Sequence, residues 1–105
     1  LDKNGDNYLV LACYNNKNVD VIKYLIEICK MDINIKTGTV NCLLIACKHN
    51  PNIDIIKYLI GESGMDIILK DIYGNNCLLL TCCENPNINI IKYLINDCKM
   101  EINIK

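Results

Sequence analysis

Apolar and polar residues alternate along this chain in a way that predicts pairs of short helices. The segment 77–82 is apolar on almost every side, so a helix there must be covered by neighbours on both sides. Asn85-Pro86-Asn87 then breaks the chain, because proline disfavours helix in the residue before it and asparagine suits turns and caps. Ile91 and Leu94 begin a second helical pattern. Residues 100–105 alternate apolar and polar, which predicts an extended segment rather than a third helix.

The same pattern occurs three times. The block Lys23-Tyr24-Leu25-Ile26 recurs at 57–60 and again at 92–95, and the units run from about 2–36 to 37–70 and 71–105. They fill residues 1–105 as a single domain. A fixed period of this size is typical of solenoids, whose units bury their apolar sides against one another. We therefore predict an all-α solenoid of three stacked helix-turn-helix units, joined by short β-hairpin-like connections.

Composition and charge narrow the range of partners. Hydrophobic residues make up 51% of the chain, which argues against disorder. The net charge is −1 and every positive side chain except the single histidine is lysine, so no nucleic-acid partner is indicated. No apolar run approaches the roughly 20 residues of a membrane-spanning helix, and we predict no membrane partner.

Several motifs resemble the ankyrin repeat. They are Asp71-x-x-Gly74-x-Asn76-Cys77-Leu78, the pairs Ala12-Cys13 and Ala46-Cys47, Ile90-Ile91-Lys92-Tyr93-Leu94-Ile95, and Met65-Asp66-Ile67. The resemblance extends over all three units. It implies stacked helical pairs that bind another protein without catalysis, through their hairpin tips and the concave face of their first helices. The amino-acid composition, rich in Asn, Ile and Lys, is similar to that of ankyrin repeat proteins of giant DNA viruses.

The units depart from the family pattern at positions that predict local differences. Asn41 and Asn76 stand where the family has threonine, and we expect asparagine to cap the first helices instead. Only Gly64 keeps the family's glycine after the second helix, where Lys30 and Lys99 stand in the other units.

The units also differ from the family in length. They are slightly longer than the family's roughly 33 residues, which predicts one extra residue between the helices and one near Cys29, Ser63 or Cys98. Unit 2 is one residue short at 38–40, so its hairpin tip should differ from the other two.

The eight cysteines follow the repeat and predict neither a metal site nor disulfides. Cys13, Cys47 and Cys82 share one repeat position, and no C-x-x-C pair occurs. We interpret the cysteines as small apolar residues of a packed interior in a reducing compartment. Cys83 is the exception, at a position expected to face solvent; without a neighbouring base, the Cys82-Cys83 pair is not expected to be redox-active.

No catalytic constellation is apparent. His49 is the only histidine, at a position that varies among the units, and only carboxylates far away in sequence could accompany it. The acidic residues at the unit junctions, Asp32, Asp66 and Asp71 among them, are expected to cap turns. We predict no catalytic residue, no metal and no cofactor.

Positions that differ among the units are free of the stacking role and become candidates for partner binding. The resemblance implies that they lie at the hairpin tips and near the ends of the first helices. They are Lys3, Asn4, Asp6, Tyr14, Asn15, Thr39, Val40, Lys48, His49, Ile72, Tyr73, Asn75, Cys83 and Glu84. Tyr14 and Tyr73 offer rigid aromatic area with charges of both signs nearby.

The prediction is therefore a non-catalytic, intracellular (cytoplasmic) protein-binding module, in a host cell if it is viral. The alternative is a structural segment of a longer repeat array, or a stack that self-associates end to end. This alternative arises because Leu78, Leu79 and Leu80 of unit 3 are no more polar than their counterparts in unit 2, so that polar caps are missing.

Overall fold

The structure, a computed structural model, describes residues 8–34 and 41–102. The described residues form six helices and no β-strand. The helices are α1 (Tyr8–Asn15), α2 (Val19–Lys23), α3 (Cys42–His49), α4 (Ile53–Lys57), α5 (Cys77–Glu84) and α6 (Ile88–Lys92).

Each second helix continues into a π-helical turn. The turns are Tyr24–Ile28 after α2, Tyr58–Glu62 after α4 and Tyr93–Asp97 after α6. In unit 1 the Cys29 amide donates to the Tyr24 carbonyl five residues earlier, at 3.1 Å. A π turn accommodates one residue more than an α turn, which fits the extra residue predicted near Cys29.

The helices form two layers. The first helices α1, α3 and α5 pack side by side, the second helices α2, α4 and α6 pack in the same order, and each pair is joined by its turn. The core lies between the layers and between successive units. Leu43 from the first layer and Ile56 and Leu59 from the second are essentially inaccessible to solvent. The predicted helical solenoid of three stacked units is confirmed.

Asparagine caps the helices as predicted. The Asn41 and Asn76 side chains accept hydrogen bonds from the Leu44 and Leu79 amides, both at 2.9 Å, in place of the family's threonine. The second helices begin in the same way, for example at Asn52, whose Oδ1 accepts from the Asp54 amide. Each cap satisfies an amide that the helix itself leaves unpaired.

The alternation at 100–105 predicted an extended connection after the second helix, but in units 1 and 2 this connection contains a turn. Residues 67–68 form a turn, and the Asp66 carboxylate accepts a hydrogen bond from the Ile68 amide at 3.0 Å. Asp32 makes the equivalent bond to the Asn34 amide. A local carboxylate acceptor thus stabilises the turn in both units, and no third helix forms in the described part of the segment. Residues 103–105 lie outside the described residues.

All three units leave the second helix through a residue with positive φ. The angles are 58° at Lys30, 70° at Gly64 and 59° at Lys99. The following amide then bonds back across the helix end, as Met31 does to the Leu25 carbonyl at 3.1 Å, which is the bonding pattern of a glycine-terminated helix. Only Gly64 adopts this conformation without steric cost.

Substituting glycine for lysine at these helix ends is expected to stabilise the protein. Lys30→Gly and Lys99→Gly should each raise the free energy of unfolding by about 0.5–1 kcal/mol, because a left-handed residue with a Cβ atom carries roughly 1–2 kcal/mol of strain, which the greater conformational entropy that glycine loses on folding partly offsets. Urea denaturation measures the change. Gly64→Lys is the reciprocal control: a Cβ at Gly64 would meet nothing within 4 Å, so the predicted loss comes from φ alone. Destabilisation by Lys30→Gly would contradict the argument.

Candidate partner-binding surface

Three side chains near the ends of the first helices form a continuous row across all three units. The Tyr14 and His49 rings lie edge to face, with centroids 4.7 Å apart and planes at 80°. His49 Nδ1 lies 3.5 Å from Glu84 Oε2 on the other side. We call Tyr14, His49 and Glu84 the cross-repeat row. It presents an aromatic ring, an imidazole and a carboxylate, each partly exposed.

The row places His49 beside a carboxylate that is distant in sequence, the kind of companion that the sequence left open. His49 and Glu84 occupy the same repeat position in adjacent units, so stacking places them side by side although they are far apart in the sequence. The contact becomes an ion pair when the imidazole is protonated. Its partly exposed position makes it a weak stabilising contact, but one that holds the imidazole in place.

An open groove adjoins the row. Its volume is about 370 Å³, and its walls combine the row with the turns between the helices. The lining residues are Tyr14, Asn15, Lys17, His49, Pro51 and Pro86. Sequence reasoning nominated Tyr14, Asn15 and His49 but missed Lys17, Pro51 and Pro86. These three share one repeat position in the turn, and their variation between lysine and proline was the signal that could have revealed them.

The hairpin tip of unit 3 is held by Asp71. Its carboxylate accepts hydrogen bonds from the Tyr73 and Asn75 amides, both at 2.9 Å, and Gly74 completes the turn at a φ of 82°. The Asn75 amide chiefly holds the pKa of Asp71 below its ordinary value, and Lys48 on α3 contributes through its charge. The turn leaves Ile72 and Tyr73 exposed by 73% and 76%, a conspicuous apolar projection for two large side chains.

The structure brings some of the nominated residues together and separates others. Tyr14, Asn15 and His49 meet at the groove, whereas Ile72, Tyr73 and Asn75 lie at the tip of unit 3. Lys48 is partly buried. Cys83 is exposed, as predicted. Five nominated residues lie outside the described residues. These are Lys3, Asn4, Asp6, Thr39 and Val40.

The cysteines divide by environment, which corrects the interpretation that all except Cys83 are interior. Cys13, Cys42, Cys47 and Cys77 are buried. Cys29 and Cys82, by contrast, are exposed. Cys29 follows the π turn at an open helix end, and Cys82 has no following helix packed over it in the described residues, whereas its counterpart Cys47 lies under unit 3.

Two of the buried thiols, those of Cys13 and Cys47, are held in their protonated form. The pKa of Cys47 is well above its ordinary value, first because of its hydrogen bond to the Cys77 thiol and then because of burial. The pKa of Cys13 is raised in the same way by Cys42 and by burial. Because the thiolate is the nucleophile and the metal ligand, Cys13 and Cys47 are unreactive packing residues.

Two further features bear on what the chain can do. Within residues 8–34 and 41–102, no three His, Cys, Asp or Glu side chains are grouped so that they could hold a metal ion. In the same described part, no helix has the length and apolar character needed to cross a membrane.

The sequence matches the family model described as ankyrin repeats (3 copies) over residues 9–105. The chain therefore belongs to the ankyrin repeat family, whose members generally serve as protein–protein interaction modules and are typically non-catalytic. No curated protein matches the sequence.

A solved structure supports the fold. It is a chain in the complex of the predatory endopeptidase Bd0816 from Bdellovibrio bacteriovorus with the immunity protein Bd3460, with a TM-score of 0.74 and 22% sequence identity. The match covers 95% of this chain but 50% of that chain. At this identity the likeness shows the shared fold.

Proposed function

We propose that this chain binds a partner protein, without catalysis, through the cross-repeat row, the groove beside it and the hairpin tip of unit 3. The row is the observation that carries the proposal. Residues that serve stacking repeat from unit to unit, but Tyr14, His49 and Glu84 differ in kind and yet contact one another across both interfaces. Contact among non-repeating side chains produces one surface instead of three unrelated positions.

The physical character of this surface suits recognition of a protein. Tyr14 and Tyr73 offer aromatic area with few rotatable bonds, which is typical of residues that contribute most to binding. The ring of Tyr14 is braced by His49, and the backbone of the turn that carries Tyr73 is held by Asp71. Little freedom of the Tyr14 ring and of the Tyr73 backbone is therefore lost when a partner docks. Glu84 in the row and Lys17 in the groove wall supply charges of opposite sign.

Capture from cell extract on immobilised chain, followed by titration of the captured protein, tests the proposal. Replacing the nominated side chains should abolish capture, and Tyr14→Ala or Tyr73→Ala alone should weaken binding by about 2 kcal/mol, or roughly 30-fold. The combined variant carries Tyr14→Ala, Lys48→Ala, His49→Ala, Tyr73→Ala and Glu84→Ala.

A matched variant on the second helices serves as the control. Shallow grooves also lie there, between Lys23 and Glu62 and between Ile53 and Asp97. The control carries five alanines at exposed positions of that side, namely Asp54, Lys57, Glu62, Asn89 and Asn96. Circular dichroism verifies that both variants fold. Capture lost in the control and kept in the row variant would place binding on the second helices and refute the proposal.

A further inference from the structure

The two interfaces between units share one set of polar contacts. At the first, Asn50 Nδ2 donates to the carbonyl oxygens of Cys13 and Asn16, at 3.1 and 2.8 Å. At the second, Asn85 Nδ2 donates to the carbonyls of Cys47 and Asn50, at 3.0 and 2.8 Å. We call this arrangement the asparagine ladder.

A second asparagine in each turn adds a parallel rung. Asn52 Nδ2 donates to the Lys17 carbonyl at 2.6 Å, and Asn87 Nδ2 donates to the Pro51 carbonyl at 2.7 Å. The direction is constant: a unit donates from its own asparagines to the backbone of the unit before it. Each unit therefore has one donating side and one accepting side.

Unit 1 holds its donors in position without using them in the described residues. Asn16 Oδ1 accepts from the Asn18 amide at 2.9 Å, the same local bond that fixes Asn50 and Asn85. Asn18 Oδ1 likewise accepts from the Asp20 amide. The Nδ2 groups of Asn16 and Asn18 have no acceptor among residues 8–34 and 41–102.

Unit 3 presents the matching acceptors. The carbonyls of Cys82, Asn85 and Pro86 correspond to those that the ladder uses in unit 2. The Cys82 carbonyl cannot be satisfied within its own helix, because the residue four positions later is Pro86, which lacks an N–H group. No donor to these three carbonyls occurs in the part of the chain that the structure describes.

The second helices repeat this complementarity with charge and aromatic groups. Lys23 Nζ lies 5.5 Å from the centre of the Tyr58 ring, and Lys57 Nζ lies 5.4 Å from that of Tyr93, so each lysine covers the tyrosine of the next unit. Lys92 of unit 3 is the counterpart of these lysines, and Tyr24 of unit 1 is the counterpart of these tyrosines. Tyr24 is 58% exposed, whereas its counterpart Tyr58 is 5% exposed.

Burial of apolar side chains also differs between the inner faces, which contact another unit, and the outer faces of units 1 and 3. Cys47 and Ile56 are fully buried under unit 3, but their counterparts Cys82 and Ile91 in unit 3 are exposed and partly exposed. On the opposite side Leu59 is fully buried against unit 1, but Leu25 of unit 1 is only partly buried. The two outer faces are thus the two halves of an interface that the chain already makes twice.

We propose that a second copy of this chain is the occupant of these faces, with its unit 1 stacked on unit 3 of the first copy. Asn16 of the second copy donates to the Cys82 and Asn85 carbonyls, and Asn18 donates to the Pro86 carbonyl. Lys92 of the first copy covers Tyr24 of the second. Because this contact joins different faces, each pair keeps one free face at either end, and repetition of the unit-to-unit stacking gives an open-ended stack.

Two variants that each block one face test this arrangement. Asn16→Asp keeps the local acceptor for the Asn18 amide but replaces the donor with a carboxylate that faces carbonyl oxygens. Cys82→Glu places a charge on the exposed accepting face. Both added groups are acidic, so the two blocked faces do not attract each other. Ile68→Glu adds the same charge at a residue that is 72% exposed and outside both faces.

Sedimentation equilibrium from micromolar to about 1 mM, the weak end of specific association, is the measurement. For the parent and for Ile68→Glu, the weight-average mass should rise with concentration beyond twice the 11.9 kDa of one chain. Each blocked variant alone should stay monomeric, with association weakened at least about tenfold. An equimolar mixture of the two should stop at a dimer, because only one intact pair of faces remains.

Every other outcome overturns the proposal. A parent that stays monomeric throughout shows that the faces do not associate. Self-association of either folded variant at the strength of the parent indicates a different interface, such as a symmetric dimer. A mixture that remains monomeric shows that the two intact faces do not bind each other head to tail. Circular dichroism confirms folding of each variant, and both altered residues are at least partly exposed.

Discussion

Replacing Asn50 with alanine is expected to lower the free energy of unfolding by about 4 kcal/mol. The side chain is completely buried and makes three hydrogen bonds: two to carbonyls of unit 1 and one from the Asn52 amide. Each such bond contributes about 1 kcal/mol net, and a buried polar group left without a partner costs roughly 1–3 kcal/mol more. Against a typical total stability of about 5–15 kcal/mol, the loss is large. Urea denaturation monitored by circular dichroism measures it.

Asn16→Ala is the matched control. Asn16 makes the same bond within its own turn, from the Asn18 amide, but does not donate across an interface in the described residues. Its loss should cost about 1 kcal/mol, as for an exposed capping bond. The difference between the two variants isolates the inter-unit ladder. Equal losses in Asn16→Ala and Asn50→Ala would show that the ladder contributes nothing to stability.

Local features of the fold were predictable from sequence because their partners are close in the chain. The caps at Asn41 and Asn76 need only an acceptor side chain and an amide three residues later. The turn-forming role of Asp66 and Asp71 is equally local. The helix pairs follow from a period that is repeated three times, so each unit supports the assignment of the others.

The ladder and the cross-repeat row were not predicted, for a different physical reason. The sequence pattern predicted a turn at Asn85, but the inter-unit bonds of Asn85 and its counterpart Asn50 depend on the lateral register of stacked units. Likewise, Tyr14 and His49 occupy neighbouring, not identical, repeat positions, and their contact depends on ring orientation. Pattern analysis places residues on a face but does not fix the rotamers that join them.

A pair of isoleucine substitutions is expected to separate the stability that comes from stacking between units from the stability that comes from burial within a unit. Ile56→Ala should cost about 4 kcal/mol, because Ile56 is fully buried and truncation of a core isoleucine leaves a cavity. Ile91→Ala, at the same position of unit 3, should cost only about 1–2 kcal/mol, because Ile91 is partly exposed. Urea denaturation measures the loss of stability in both variants. The protein is kept at micromolar concentration, which limits association between copies.

The comparison is sharp because the two isoleucines share their repeat position. What differs is the unit on the far side: Ile56 lies under unit 3, whereas no described residue covers Ile91 to the same extent. In a solenoid, stability is the sum of unit and interface contributions, and an isolated unit is insufficient. A deficit that is equal for both variants would mean that burial within the unit dominates and that the interfaces are weak. In that case the same weakness would extend to the outer faces of units 1 and 3, where identical groups are arranged for stacking.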